Sequence, residues 1–494
     1  MGSLLLGVDL GTTATKATLL DAEAGVLAAA SEESPLASPA AGWAEASTDR
    51  WWRNVCRLVP RVAEAAGVHP REIAGVACSG MVPAVVVLGE AGSALRPAIL
   101  QNDARAAVEI AEVAAALEAV GFDALARTGS VVSQQSVAPT WRWLVRHEPE
   151  VAGAARRLVG SYDWLAIALG APAHVEENWA LESGLFTLEG SPAAPVLEAA
   201  GLDPSLLAPV RRPADPVGEV GREAAAATSL AAGTAIYVGG ADHVLAAFAA
   251  GLAEAGDWLV KLGGAGDILV VSDEPVVDRR WYLDAHPLRG RWLPNGCMAT
   301  SGSLLRWAQQ LFGGVGLAEL DREASQAEPA PLICLPYLLG EKSPLHDPDL
   351  RGAFVGLHLG HGRGELFRAC LEAVAFGFRQ HVECFEARQV ALGQARVSNG
   401  GSASSLWKQI LADVLGTELV PILDHGGAAL GAALVAAIGA GALGADDASR
   451  RFVSLGEPIA PQSCPAYEEA YAVFLELQAL LTPVSHRLAR RGRT

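Results

Sequence analysis

The stretch Leu4-Leu5-Leu6-Gly7-Val8-Asp9-Leu10-Gly11-Thr12-Thr13-Ala14-Thr15-Lys16-Ala17-Thr18-Leu19-Leu20 decides how this chain is read. Residues 4–10 form a compact apolar run, Gly11-Thr12-Thr13 interrupts it, and residues 15–20 resume it. That is the pattern of strand, tight turn and strand. A third strand is expected over residues 25–31, a helix over 49–66 and a strand over 73–78, which together predict a mixed α/β sheet. Near residue 235 the pattern starts again. A strand over 235–239, a helix over 242–252, a strand over 257–262, the turn Gly263-Gly264-Ala265-Gly266 and a strand over 267–272 repeat the opening order. The repeat points to two related halves with a boundary near 235–255. Residues 104–200 are expected to be mainly helical, with strong patterns at 106–119 and 137–147. Further helices are expected over 364–387, 404–415, 428–440 and from 466 to the end. No low-complexity linker separates the halves, so a hinge and not a tether should join them.

Composition sets the outer limits. At 494 residues the chain is too long for one ordinary core, and 51% hydrophobic with 19% charged residues describes a globular protein. A net charge of −18 argues against nucleic acid or an anionic membrane surface as partner. The short basic tail from Arg487 to Arg493 reads as a solvated helix end. Seven scattered cysteines without a CxxC pair read as reduced thiols of a cytoplasmic protein, not as a zinc site or a disulfide framework. Met1-Gly2-Ser3 runs straight into a strand, with no sign of a signal peptide. Residues 426–445 carry no charge and are long enough to cross a bilayer, but Gly and Ala dominate them. A buried, closely packed helix is expected there, not a span.

Four motifs carry chemistry. In Asp9-Leu10-Gly11-Thr12-Thr13-Ala14-Thr15-Lys16, a turn without Cβ bulk lets N–H groups and hydroxyls approach phosphate oxygens. Asp9 suits Mg²⁺ held through water, and Lys16 can neutralise phosphate; an ordinary hairpin turn is the plain alternative. In Gly239-Gly240-Ala241-Asp242-His243, Asp242 is explained plainly as a helix N-cap. Functionally, the glycines would clear space for a substrate while the carboxylate takes a proton from an attacking hydroxyl. The turn in Lys261-Leu262-Gly263-Gly264-Ala265-Gly266-Asp267 mirrors the first, so the two could clamp a polyphosphate, although a simple tight turn fits equally. Ser398-Asn399-Gly400-Gly401-Ser402-Ala403-Ser404-Ser405-Leu406-Trp407-Lys408-Gln409 makes a helix start open to a ligand, with capping as the plain role of Ser404. Two further strings are decoys. Gly439-Ala440-Gly441-Ala442-Leu443-Gly444 spells GxGxxG but follows a helix, and Gly340-Glu341-Lys342-Ser343 lacks the glycines of a P-loop.

The order and spacing of these motifs resemble the FGGY carbohydrate kinase family over essentially the whole chain. Leu335-Pro336-Tyr337-Leu338-Leu339-Gly340-Glu341-Lys342-Ser343-Pro344, with Asp347-Pro348 and Arg351-Gly352-Ala353-Phe354, looks like that family's "LPYLxGERSPxxDPxxRGAFxGL" stretch. Leu100-Gln101-Asn102-Asp103-Ala104-Arg105 is similar to the "LWNDxR" of its xylulokinase branch. The resemblance implies two actin-like (ribonuclease H-like) ATPase domains with a ligand cleft between them. These would be residues 1–242, carrying sugar-binding insertions, and residues 243–494, carrying most of the nucleotide site. It implies ATP and Mg²⁺, with Asp242 as catalytic base and Asp9 serving the metal. Thr12, Thr13 and Lys16 would face the phosphates, with Gly263, Gly264, Gly302, Gly401 and Ser405 by the nucleotide. Asn102, Asp103 and Arg105 would line the sugar side, joined by His243, with Met81 and Val82 as an apolar wall.

Departures from the family pattern bear on the substrate. Xylulokinases usually read Ser-Gly-Gln-Met-His-Gly where this chain has Ser79-Gly80-Met81-Val82-Pro83-Ala84, so the sugar-touching histidine is gone. Many relatives carry Gly-Thr-Ser-Gly in the second turn, where Gly263-Gly264-Ala265-Gly266 leaves only backbone N–H donors. Asp267 stands where a hydrophobic residue is usual. The expected activity is that of a sugar kinase acting on a small ketopentose such as D-xylulose, in the cytoplasm, with a homodimer as the assembly to test. Ribulose, erythritol, glycerol and gluconate are the alternative acceptors. An actin-like chaperone or filament subunit would lack the Gly-Gly-x-Asp-His acid and the Asn-Asp-x-Arg segment, and retention of Asp9 and Asp242 speaks against a silent sugar sensor.

Overall fold

The computed structural model describes residues 2–90 and 92–491. The opening hairpin forms as expected: β1 (Leu4–Leu10) pairs antiparallel with β2 (Ala14–Asp21), which pairs antiparallel with β3 (Gly25–Glu33). β4 (Ile73–Gly80) runs parallel to β1, β6 (Ala235–Ala241) runs parallel to β4, and β5 (Pro216–Glu219) closes the edge antiparallel to β6. The sheet order is therefore β5-β6-β4-β1-β2-β3. Every residue of β1 is buried, as a central strand covered on both faces requires.

The second sheet repeats the five central strands of this topology and has seven strands in all. β7 (Trp258–Leu262) pairs antiparallel with β8 (Gly266–Val270), and β8 pairs antiparallel with the end of β10 (Trp292–Met298), which follows the short β9 (Tyr282–Ala285). β11 (Ala395–Ser398) is parallel to β7, β12 (Leu419–Asp424) is parallel to β11, and β13 (Ser454–Leu455) is antiparallel to β12. From β3 through β2, β1 and β4 to β6, and from β10 through β8, β7 and β11 to β12, the order and senses match, which bears out the repeat read from the two glycine turns. The edges differ, since β5 precedes its neighbour in the chain, β13 follows its own and β9 is extra.

The compact units do not follow a single cut at 242/243. One comprises Met1–Ala253, Leu283–Leu293 and Gly426–Val453; the other comprises Glu254–Tyr282, Pro294–His425 and Ser454–Thr494. The reason is packing. The Gly- and Ala-rich segment forms the helix Gly427–Gly439, whose residues 428–437 are all buried. It lies against β1 so closely that a Cβ on Gly7 would stand 1.9 Å from the Ala429 carbonyl oxygen. Its small residues serve that contact, and none of the described helices is long and apolar enough to cross a membrane. All seven cysteines are free thiols. The last helix, Pro465–Arg491, contains the start of the basic tail, while Gly492 and Arg493 lie outside the described residues.

Candidate active site

Asp9 sits next to last in β1, 6% exposed, level with Ser79 of β4, which is itself level with Gly240 of β6. Three parallel strands thus end together, where an open α/β sheet presents ligands to its carboxyl edge. The Asp9 carboxyl is pushed up to about 7, first by burial and then by the Asp242 carboxylate, with Lys16 opposing. Its Oδ1 and the Ser79 hydroxyl are buried without a hydrogen-bond partner among the described residues. A buried acid beside a second acid fits a hydrated divalent cation, which would supply the missing partner and favour the ionised form. Lys16 faces Asp9 across the hairpin and is exposed. Thr12 is half-buried and Thr13 exposed in the turn.

Asp242 is the first residue of the helix Asp242–Ala249. It is not the cap: Ala241 holds that position, and no side chain caps the helix. Instead Asp242 Oδ1 accepts a hydrogen bond of 2.6 Å from the N–H of His243. Gly239 clears room for a strand, not for a substrate, since a Cβ there would lie 1.6 Å from the Cys78 carbonyl oxygen. His243 points its ring at acids. Nε2 is 2.7 Å from Asp284 Oδ2 and 3.9 Å from Glu182 Oε1, and Nδ1 is 3.5 Å from Asp242 Oδ1. Burial opposes charge on this imidazole, but Asp284, Asp242 and Glu182 outweigh it and raise its pKa well above the ordinary value. Burial, then Asp284, pushes the Glu182 carboxyl up in turn.

The expected sugar side lies on two joined segments. Met81 and Val82 are buried just beyond β4, where Met81 N–H reaches the Leu10 carbonyl. Val85 exchanges backbone hydrogen bonds with Ile99, which brings the segment carrying residues 102–105 alongside. Asn102 is exposed there. Asp103 and Arg105 are committed to each other. Arg105 Nε and Nη2 donate to Asp103 at 2.8 and 2.7 Å, Nη2 also reaches Glu45, and Asp103 accepts the Ala44 N–H at 2.6 Å. The guanidinium stacks 3.9 Å over Trp43 and 5.0 Å from Trp143. Arg105 Nη1 alone is buried without a partner among the described residues.

In the second unit, the turn at Gly263 and Gly264 is braced by the helix Gly302–Leu311. Gly302 N–H donates to the Gly263 carbonyl at 2.8 Å, and Ser301 and Ser303 N–H groups reach the Gly264 carbonyl. A Cβ on Gly302 would stand 2.6 Å from the Gly263 carbonyl oxygen. Asp267, unexplained by the sequence, pairs with Lys261 at 3.0 Å, its cross-strand partner in β7 and β8. Gly401 packs under Trp407 and against Leu262, where a Cβ would find 2.4 and 2.6 Å. Ser404 caps the helix Ser405–Leu415 by accepting the Trp407 N–H, which leaves Ser405 exposed in its first turn. Asn399 adopts φ 72°, a left-handed conformation that strains a non-glycine residue in the loop ahead of that helix.

Sequence reasoning missed Glu182, Asp284 and Ser79. An acid within the apolar strand Tyr282–Ala285 was a readable signal for Asp284; nothing local linked it to His243.

Duplicated mixed sheets with a buried acid at one strand end and a second acid at a helix start define a two-domain phosphoryl-transfer ATPase of the actin-like class. The chain matches the FGGY family of carbohydrate kinases, through its N-terminal domain over residues 4–249 and its C-terminal domain over residues 261–440. It belongs to that family and is a sugar kinase. A solved structure of xylulose kinase from Rhodospirillum rubrum is 41% identical with a TM-score of 0.91, covering 98% of this chain and 100% of that one. Xylulose kinase from Bacillus subtilis is 27% identical over 443 residues, covering 88% of each chain. Xylulose kinase from Escherichia coli is 29% identical over 449 residues, covering 88% of this chain and 90% of the relative. Sugar kinases of this family use ATP, generally with Mg²⁺.

Proposed function

We propose that the chain transfers the γ-phosphoryl group of ATP to a hydroxyl of a ketopentose, with D-xylulose as the acceptor. The observation that carries the chemistry is Asp242, a half-buried carboxylate at a helix start, close enough to Asp9 that its charge pushes the Asp9 carboxyl up. Asp242 accepts the proton of the sugar hydroxyl as its oxygen bonds to the γ-phosphorus. The bond from that phosphorus to the β-γ bridging oxygen breaks, and ADP leaves with the electron pair. Mg²⁺, when bound, neutralises charge on the phosphates, and Asp9 is the residue assigned to hold it through water. Thr12, Thr13 and Lys16 are assigned to the phosphates. Gly263, Gly264, Gly302, Gly401 and Ser405 are assigned to the nucleotide, with backbone N–H groups in place of hydroxyls at the second turn.

Support for the acceptor comes from the relatives, which are xylulose kinases by name, one of them 41% identical over nearly the whole chain. Met81 and Val82 are assigned as an apolar wall and Asn102 as a hydroxyl partner, while Asp103 and Arg105 frame the sugar side from their mutual ion pair. A wall without a side-chain donor suits a neutral ketose better than the carboxylate of gluconate, because an unpaired buried charge is costly. The test compares kcat/KM for D-xylulose, D-ribulose, L-ribulose, erythritol, glycerol and gluconate. D-xylulose should lead; a tenfold lead by gluconate or glycerol would overturn the acceptor and leave the kinase intact.

A further inference from the structure

We infer that His243 is a positioning residue that acts through Asp242, and that Asp284 and Glu182 hold it in place. The inference rests on the reading of Asp242 as base and takes it one shell outward. His243 grips the same oxygen of Asp242 from two directions. Its backbone N–H donates to Oδ1 at 2.6 Å, and its ring Nδ1 faces Oδ1 at 3.5 Å. The far side of the ring is fixed by Asp284 Oδ2 at 2.7 Å, with Glu182 Oε1 at 3.9 Å. Asp284 is fully buried and the Glu182 side chain is 10% exposed, so water screens this contact little.

Three elements distant in sequence build this arrangement: the helix Glu177–Ser183, the helix Asp242–Ala249 and the strand Tyr282–Ala285. Its framework is independently braced. Asn178 exchanges side-chain hydrogen bonds with the backbone of Ala285, accepting its N–H at 2.6 Å and donating to its carbonyl at 3.0 Å. With Oδ1 held, Oδ2 is the oxygen left to meet the sugar hydroxyl. A carboxylate free to rotate would spend part of its time misdirected, and a displacement of about 1 Å can cost on the order of a hundredfold in rate. His243 is thereby turned toward protein acids and away from the role of a sugar contact.

The experiment compares the full-length wild type with His243→Gln, His243→Asn, Asp284→Asn and the double variant His243→Gln/Asp284→Asn, beside Asp242→Asn. Each is assayed for kcat and sugar KM with the best acceptor of the panel, for binding of a non-hydrolysable ATP analogue, and for Tm. Glutamine keeps a donor near the Nε2 position for Asp284 but withdraws the one facing Asp242, so kcat should fall about tenfold to a hundredfold with sugar KM and nucleotide affinity within about twofold. Asparagine keeps a donor near the Nδ1 position and should recover most of that loss. The double variant should be no slower than His243→Gln alone, as for residues acting in one chain. A raised KM with kcat retained would make His243 a sugar contact and overturn the inference. A lowered Tm with unchanged kcat per folded molecule would make the cluster structural and also overturn it. Should Asp242→Asn remain active, the base assignment itself falls. A dead Asp242→Asn beside a fully active His243→Gln and Asp284→Asn overturns only the positioning role.

Discussion

The two glycine hairpins occupy the same place in the two sheets and carry the same pair of residue types in opposite order. In β1–β2 the acid comes first: Asp9 on the central strand lies opposite Lys16. In β7–β8 the base comes first: Lys261 on the central strand lies opposite Asp267. The outcomes differ. Lys261 and Asp267 meet at 3.0 Å, both partly exposed. Asp9 is buried beside Asp242, and Lys16 only partly offsets the cost of its charge. One hairpin pairs its charges; the other leaves an acid that calls for an external cation. Duplicated architecture has thus been given two electrostatic roles by exchanging which strand bears the carboxylate.

The largest effect should come from the acid that Asp9 faces. Asp242→Asn is expected to lower kcat by about 10²–10⁴-fold while leaving Tm and nucleotide binding nearly unchanged. Retention of more than half the wild-type turnover would remove Asp242 from the chemistry and with it the asymmetry between the hairpins.

Asp9→Asn should come next, with turnover reduced about tenfold to a hundredfold and the Mg²⁺-dependent rise in Tm with ATP abolished. The same variant tests the cost of the lone acid in chelator-treated protein. The folded-state value of about 7 lies above the ordinary 3.8. The stability linked to Asp9 is therefore full below about 3.8 and is lost as pH rises through about 7. Asp9→Asn should accordingly melt higher than wild type at pH 8, with the gap closing toward pH 4. Equal melting temperatures across that range would show that burial does not penalise this carboxylate.

The smallest effect belongs to the second hairpin. Replacing both charges, Lys261→Gln with Asp267→Asn, should change stability by about 1 kcal/mol or less, as for a partly exposed pair. Turnover should stay within about twofold. Removing Lys261 alone should cost more than removing both, because the Asp267 carboxylate would keep its charge without the cation across the strand. A large loss of kcat in the double variant would mean that this pair, like Asp9, serves the nucleotide.

How far the sequence reaches is visible in these same residues. The two hairpins were legible because strand, turn and strand are written in neighbouring residues, whereas the parallel strands beside the second one, Ala395–Ser398 and Leu419–Asp424, were not read at all. Asp9 and Asp242 stood out for the same reason, each lying at the edge of a glycine-bearing segment. Asp267 resisted explanation although its partner was six residues away, since only the register of β7 on β8 sets them face to face. Gly239 was misread because the sequence shows a missing side chain but not the Cys78 carbonyl that requires it.

By itself, then, the sequence determined the two strand–turn–strand hairpins, the position of the two acids and membership of a kinase family, all of which rest on local pattern or on motif order. Tertiary structure alone decided that residues 426–453 return to the first unit, that Arg105 is locked to Asp103 and Glu45, and that Glu182 and Asp284 stand behind His243. The physical reason is common to all three. Burial and charge pairing depend on which distant segments meet, and residues 182 and 284 acquire an electrostatic role toward residue 243 only when two helices and a strand place their carboxylates within 4 Å of its imidazole.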